Sequence, residues 1–278
     1  MISRIITLLL LCFFSFHALS SAEIPTDQVG ISPSIFEELR LDNKPLNETI
    51  RFFNFKDEPV HVQVSVHNWT LDENNTIELL PPNPHSLDQW LTINPLEFTV
   101  PPGGSRPIRF SIQPRVKPAP GEYRAIVYFS ENPLKTISEK KQTLKTRFRI
   151  GVGIYAIADS PVKKGSLHSF SLHNNTLRAD IENTGNAHIR FKGKYAIWSG
   201  AAFPGTKNHD KLIPKSKENE KPDGLVASGP LNRFPVLPGT RRTIETSLPV
   251  IEKSGSYVIA IQDTLAGTPA LHTFRFMK

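Results

Sequence analysis

The nine histidines of this 278-residue chain are the first candidates for chemistry, because imidazole ligates metals and moves protons near neutral pH. Their spacing argues against both uses. His61 and His67 fall in one extended run at an even separation, so they share a face but lie too far apart to ligate one ion directly. His85, His168, His173, His188, His209 and His272 form no tight HxH or HxxxH pair. They read as exposed strand or loop residues. With Cys12 the single cysteine, no structural zinc set can be assembled either. Nucleophilic catalysis finds no footing: there is no Gly-x-Ser-x-Gly elbow. Pro101-Pro102-Gly103-Gly104 is not a phosphate loop, since no Lys-Ser/Thr follows it before a helix. Glu37 and Glu38 look like a carboxylate pair, but neighbours in an extended strand face opposite ways, which predicts two solvated side chains. The sequence therefore makes no case for an enzyme or for a cofactor.

Stepping from side chains to the segments that carry them, residues Met1 to Ala22 read as a secretory signal. Arg4 supplies the positive start, Ile5 to Phe14 the apolar run, and Ser20-Ser21-Ala22 a small-residue cleavage site. The run is shorter than the roughly 20 residues that a membrane span needs, so no span is expected in the mature chain. Cys12 lies inside the run, which argues against lipidation. The remaining Glu23–Lys278 has no cysteine and is long enough for two domains of ordinary size. An exported chain without disulfides suits a bacterial envelope compartment, the periplasm. The net charge is +7, yet the lysines are scattered apart from Lys207 to Lys221. No compact basic block interleaved with aromatics is present, which disfavours nucleic acid as a partner.

The segment Asn94–Phe129 carries three short runs in which every second residue is apolar, separated by Pro-Pro-Gly-Gly and Pro-Ala-Pro-Gly. Period two puts one face on a core and the other in water, and the Pro/Gly clusters punctuate such strands as turns. The first half yields strand candidates at Val29–Phe36, Thr49–Phe55, Val60–Leu71, Thr76–Leu80, Trp90–Val100, Pro107–Gln113, Tyr123–Phe129 and Thr146–Ala158, with a helical turn over Glu37–Lys44. The second half adds Leu167–Leu172, Leu177–Asn183, Ala187–Trp198, Arg242–Leu248, Ser256–Gln262 and Ala270–Met277. Asn183-Thr184-Gly185-Asn186 is expected to be a turn whose glycine takes positive φ. Phe203–Gly224 is polar, Lys-rich and broken by Pro, so it is expected as a surface loop. The expected fold is all-β: two immunoglobulin-like sandwiches set at an angle around a cleft. A signal at 1–22, an N-terminal domain at 23–158 and a C-terminal domain at 159–278 are hinged near Pro161.

The strongest binding feature is Thr146–Ala158, TRFRIGVGIYAIA. Phe148, Ile150, Val152, Ile154 and Ala156 alternate with Arg147, Arg149, Gly151, Gly153 and Tyr155. Such a face suits a core strand. It equally suits an edge strand whose backbone is kept open to another chain.

Several landmarks in the first half resemble the PapD-like periplasmic chaperones of pilus assembly. Thr49-Ile50-Arg51-Phe52-Phe53-Asn54 looks like their second strand, ending in its Asn, and Val62–Trp69 like the next, which carries a Trp. Asn94-Pro95 to Pro102-Gly103, followed by Ile108-Arg109-Phe110, resembles their proline-bracketed turn and the strand after it. Tyr123–Phe129 stands where the strand before their donor strand would be. The resemblance spans Val29–Ala158, with a fainter one at Asp180–Ile189. It implies a non-catalytic protein that caps pilin-like subunits by lending them a strand, then meets an outer-membrane usher. Phe148, Ile150, Val152 and Ile154 would be the subunit-binding strand, with Leu134–Leu144 the second candidate. The family's basic anchor for the subunit's terminal carboxylate would fall at Ile35 and Gly151, neither of which can bind it through a side chain. Arg147 and Arg149 stand close by as substitutes, since a guanidinium suits bidentate carboxylate binding. The competing reading is a structural or adhesive envelope protein with the same sandwiches and no client.

Overall fold

A computed structural model describes residues 28–42, 44–131, 147–207, 212–213 and 222–278. The expected signal segment, Leu134–Leu144 and most of the Lys-rich stretch lie outside the described residues.

Two β-sandwiches follow each other along the chain. In the first, β1 (Val29–Ser32), β3 (Leu46–Asn54), β8 (Ser105–Ile112) and β6 (Leu91–Asn94) form one sheet in the order β1-β3-β8-β6. The facing sheet runs β2 (Ile35–Leu41), β10 (Arg149–Ala158), β9 (Gly121–Glu131), β4 (Val60–Leu71) and β5 (Ile77–Leu80), with β7 (Glu97–Val100) also beside β4. The period-two pattern explains the pairing. Ile50, Phe52, Ile108 and Phe110 turn inward and are buried against Val62, Phe129, Val152 and Ile154 of the other sheet. Their neighbours Thr49, Arg51 and Arg109 remain exposed. Each such buried large side chain contributes roughly 1.5–3 kcal/mol.

The second sandwich sets β11 (Gly165–His173), β12 (Thr176–Asn183) and β17 (Arg241–Ser247) against β15 (Leu225–Pro230), β14 (Lys192–Ser199), β18 (Ser256–Leu265) and β19 (Thr268–Met277). A short pair, β13 (Ile189–Arg190) with β16 (Pro235–Val236), sits beside them. Leu177, Ile181, Phe191, Ile197, Ile244, Ile259 and Ile261 form its core. β15 and β16 carry no clean alternation and are absent from the strands expected of the second half.

Several expected segments divide. Val29–Phe36 is two strands, because the chain leaves one sheet after Ser32 and joins the other at Ile35. Trp90–Val100 divides at Pro95: Asn94 pairs with Arg109 in one sheet and Glu97 with Gln63 in the other. Proline suits both crossings, since it has no N–H to leave without a ladder partner. Glu37–Lys44 is not a helical turn; Glu37–Leu41 belongs to β2, held parallel to β10. Ala187–Trp198 divides into β13 and β14. Gly185 is not among the glycines with positive φ. It is needed for closeness instead, because a Cβ there would lie 2.1 Å from the Val162 carbonyl oxygen.

Candidate functional site: an open strand edge beside the domain junction

Strand β10 pairs with β9 over its whole length, from Arg149↔Ser130 to Ala158↔Gly121. On its other side β2 begins only at Gly153↔Ile35. The reason is upstream: the chain arrives at Ile35 from the opposite sheet, so nothing of β2 reaches further along β10. Among the described residues, Arg149 to Val152 therefore have β9 as their one strand neighbour, and no described strand pairs with their other side.

The four residues expected to bind a subunit do not share one environment. Val152 and Ile154 are fully buried in the core. Phe148 is half-buried, with its ring 5.8 Å from that of Phe52. Ile150 is also half-buried, beside Phe129 across the ladder. Only the N-terminal pair has surface to offer. Of the two arginines, Arg147 is exposed, and Arg149 lays its guanidinium 3.8 Å from the centre of the Tyr128 ring. At Gly151 a Cβ would meet Ile126 Cδ1 at 2.8 Å and Tyr128 Cε1 at 3.0 Å. The missing side chain lets these two residues close over the strand. Ile35 is 40% exposed.

The other face of the same sheet meets the second sandwich. Trp69, Leu71, Ile126 and Tyr155 enclose Leu237, which comes from the second sandwich. Burial, partly offset by the charge of Arg190, pushes the Tyr155 hydroxyl up to about 12. Around this plug lies a set of charges that the sequence did not reveal. Glu122, whose side chain is wholly buried, accepts hydrogen bonds from the His188 backbone N–H at 2.9 Å and from its ring Nδ1. Arg124 reaches the same carboxylate at 3.2 Å. Burial alone would raise Glu122, but the hydrogen bond and charge of His188 outweigh it and hold the carboxyl below its ordinary range.

Glu37 and Glu38 are both exposed, as expected, but they do not face opposite ways, and each has an ion-pair partner. The register of β2 against β10 shifts between Ile154 and Ala156, so Glu37 and Glu38 occupy the span opposite Tyr155, and Glu38 takes a φ of 60°. This bulge re-aims both side chains at the second sandwich. Glu37 accepts from Arg190 Nε at 2.8 Å, and Glu38 pairs with Lys163. The Lys163 hydrogen bond, then its charge, lowers the Glu38 carboxyl. On the far side, Arg242 donates to the carbonyls of Leu71 and Asp72, and Asn75 Nδ2 donates to the Thr243 carbonyl at 3.1 Å. Among the described residues, no group of three or more His, Cys, Asp or Glu is placed to hold a metal ion, and no helix is long and apolar enough to cross a membrane.

No family model matches the chain, and no curated protein does. Solved structures do resemble it. The YadV chaperone shares 13% identity at a TM-score of 0.45, covering 89% of this chain and 99% of that one. A chain from the Salmonella enterica SafA pilin–SafB chaperone complex shares 15% at 0.44, covering 90% and 96%. The E. coli chaperone DraB shares 13% at 0.41, also covering 90% and 96%. Identities this low do not speak to function, which has to be argued from the residues of this chain.

Proposed function

We propose that the chain is a periplasmic, non-catalytic chaperone that caps pilin-like subunits by lending them a strand before they pass to an outer-membrane usher. One observation carries the reading: β10 runs on past the end of β2, so the backbone groups of Arg149 and Gly151, which point away from β9, meet no described strand. An unsatisfied edge is a template for a partner strand. The half-buried Phe148 and Ile150 would supply the apolar contacts, while Val152 and Ile154 anchor the donor to its own core. Arg147 and Arg149 lie at the same stretch and would hold a subunit's terminal carboxylate in place of the basic side chains that Ile35 and Gly151 do not supply. The resemblance over Val29–Ala158 supports the same class, and the apolar run at Ile5–Phe14 supports export.

The test is capture of a small β-rich subunit by the full chain in periplasmic extracts. Ile150→Asp should lower recovery at least about tenfold, because it sets an unpaired carboxylate in the apolar contact. Ile150 lies outside the fully buried core, so thermal unfolding of the free protein should shift by only a few degrees, about 2–4 °C. A wild-type protein that recovers no subunit would favour the structural, clientless reading. Unchanged capture by the variant would show that this edge is not the donor.

A further inference from the structure

The outward face of the β1-β3-β8-β6 sheet carries a second feature, independent of the open edge. Two cross-strand rows run across it, Asn47–Ser111–Thr92 and Thr49–Arg109–Asn94. They line a shallow groove of about 380 Å³, to which Glu48 and Phe110, at the alternate positions of the same strands, also contribute; Glu48 is the one carboxylate among its lining residues. Adjacent strands are about 4.8 Å apart and successive outward residues about 7 Å apart, so the six side chains cover an area comparable to one sugar ring. Five of them are neutral amides or hydroxyls, and the sixth is Arg109. Arg51 stands on the same face opposite Pro107, diagonal to Arg109 and within reach of a long side chain. The outward positions of the sheet's strands around the groove, Gly30, Ser32, Phe53, Ser105 and Pro107 included, hold no carboxylate. Among the described residues Arg51 has one contact, to Ser105 Oγ at 3.4 Å. Among the described residues the Arg109 side chain makes no hydrogen bond or ion pair.

The second sandwich shows how the chain treats such a face when it needs only solubility. Asn54 N donates to the Gly104 carbonyl ahead of β8, and Asn183 N to the Thr240 carbonyl ahead of β17, so the two strand pairs superpose in register. Thr49 then corresponds to Arg178, Arg51 to Asp180 and Arg109 to Glu245. There Arg178 pairs with Glu245 and Arg241 with Asp180. Where the second sandwich sets opposite charges, the first sets two cations and no anion.

We propose that this groove binds an acidic saccharide, one uronate-type ring at a time. The carboxylate would lie between the guanidinium groups of Arg109 and Arg51, and the ring hydroxyls would bond to Thr49, Asn94, Thr92, Ser111 and Asn47. Guanidinium matches a carboxylate with two parallel hydrogen bonds, and amides and hydroxyls both donate and accept, as sugar hydroxyls require.

Calorimetric titration of the full chain with a galacturonic acid tetramer, a neutral galactose tetramer and sodium sulfate tests this. The acidic tetramer should bind and the neutral one at least about tenfold more weakly. Arg109→Ala should cost at least about tenfold, as losing a charged hydrogen bond demands. Asn94→Ala should cost a few-fold, and Lys192→Ala, an exposed charge on β14, less than twofold. The proposal fails if the acidic tetramer does not bind or the neutral one binds as well. It fails also if sulfate binds as tightly as the tetramer, which would mark a bare anion site. A loss from Lys192→Ala equal to that from Arg109→Ala would mark diffuse charge attraction and equally overturn it.

Discussion

Both sandwiches close one strand with the same device and then put the following turn to different uses. Asn54, at the end of β3, is fully buried; its Nδ2 donates to the carbonyls of Glu58, Val100 and Pro101, and its Oδ1 accepts from the Lys56 N–H. Asn183, at the end of β12, is equally buried; its Nδ2 donates to Ala187 and Val236 and its Oδ1 accepts from Gly185 N. An amide is suited to the task because it offers donors and an acceptor from one short side chain. After Asn54 the turn serves its own domain, with Lys56 pairing to Glu131 at 3.2 Å. After Asn183 the turn is pressed against the neighbour: the Asn186 carbonyl accepts from Glu122 N, and His188 meets Glu122. The comparison teaches that one local solution can hold a fold in one place and a domain junction in another. The difference lies in what the turn's next residues face.

The largest effect should come from removing the amides. Asn54→Ala leaves three carbonyls and one N–H without their partner, one of these bonds buried and three partly so. At roughly 1–3 kcal/mol for each buried polar group left unsatisfied, the loss should be at least about 3 kcal/mol in chemical denaturation. Asn183→Ala removes three hydrogen bonds, two of them buried, where Asn54→Ala removes four, and it also frees the turn that carries His188. It should cost somewhat less in the second sandwich while exposing the junction to limited proteolysis. Equal costs with no new cleavage would show that the turn after Asn183 is held by the junction and not by its asparagine.

Where strands would lie was largely legible, because alternation is a local signal that a half-buried strand must carry. Val60–Leu71 runs in the structure over the span read from its pattern. What escaped was set by distant partners. Glu37 and Glu38 are exposed, as the sequence suggests, but their partners Arg190 and Lys163 come into reach only through the bulge against β10. His188 has no metal-like neighbour in sequence, and its partners lie 66 and 151 residues away at Glu122 and Glu37. Gly185 was assigned to backbone freedom, whereas the constraint is the Val162 carbonyl against it. The edge proposed as the donor shows in the sequence as apolar alternation. Which of its residues are free could not be read there, since that depends on where β2 stops.

The junction gives the intermediate effect, and its direction with pH is fixed. Glu122 is held below its ordinary range in the folded protein despite burial. Its contribution is therefore complete above the carboxyl's unfolded value, about 4.3, and is lost as pH falls through the lower folded one. Glu122→Gln keeps a hydrogen-bonding side chain but removes this linkage. It should cost about 1–3 kcal/mol at neutral pH and flatten the acid limb of the stability curve. Denaturation followed from pH 7 to pH 3 would read both, and parallel wild-type and variant curves would exclude Glu122 as the acid-sensitive element.

The smallest effect is expected where the two outward sheet faces differ most. Arg178 and Glu245 sit opposite each other on β12 and β17, with side chains half exposed. Water and salt screen such a pair, and holding two long side chains in one geometry offsets much of the attraction. Arg178→Ala should therefore change stability by no more than about 0.5 kcal/mol, and less still as ionic strength rises. At the corresponding position of the first sandwich, Thr49→Arg would add a third cation beside Arg51 and Arg109. That change should destabilise at low salt and recover as salt is added, because like charges across neighbouring strands repel and salt screens them. Opposite responses of the two variants to salt would confirm that one face is balanced within the chain and the other is not. A Thr49→Arg protein indifferent to salt would mean that the first face already disperses its charge into solvent, and the contrast between the sheets would then carry no electrostatic meaning.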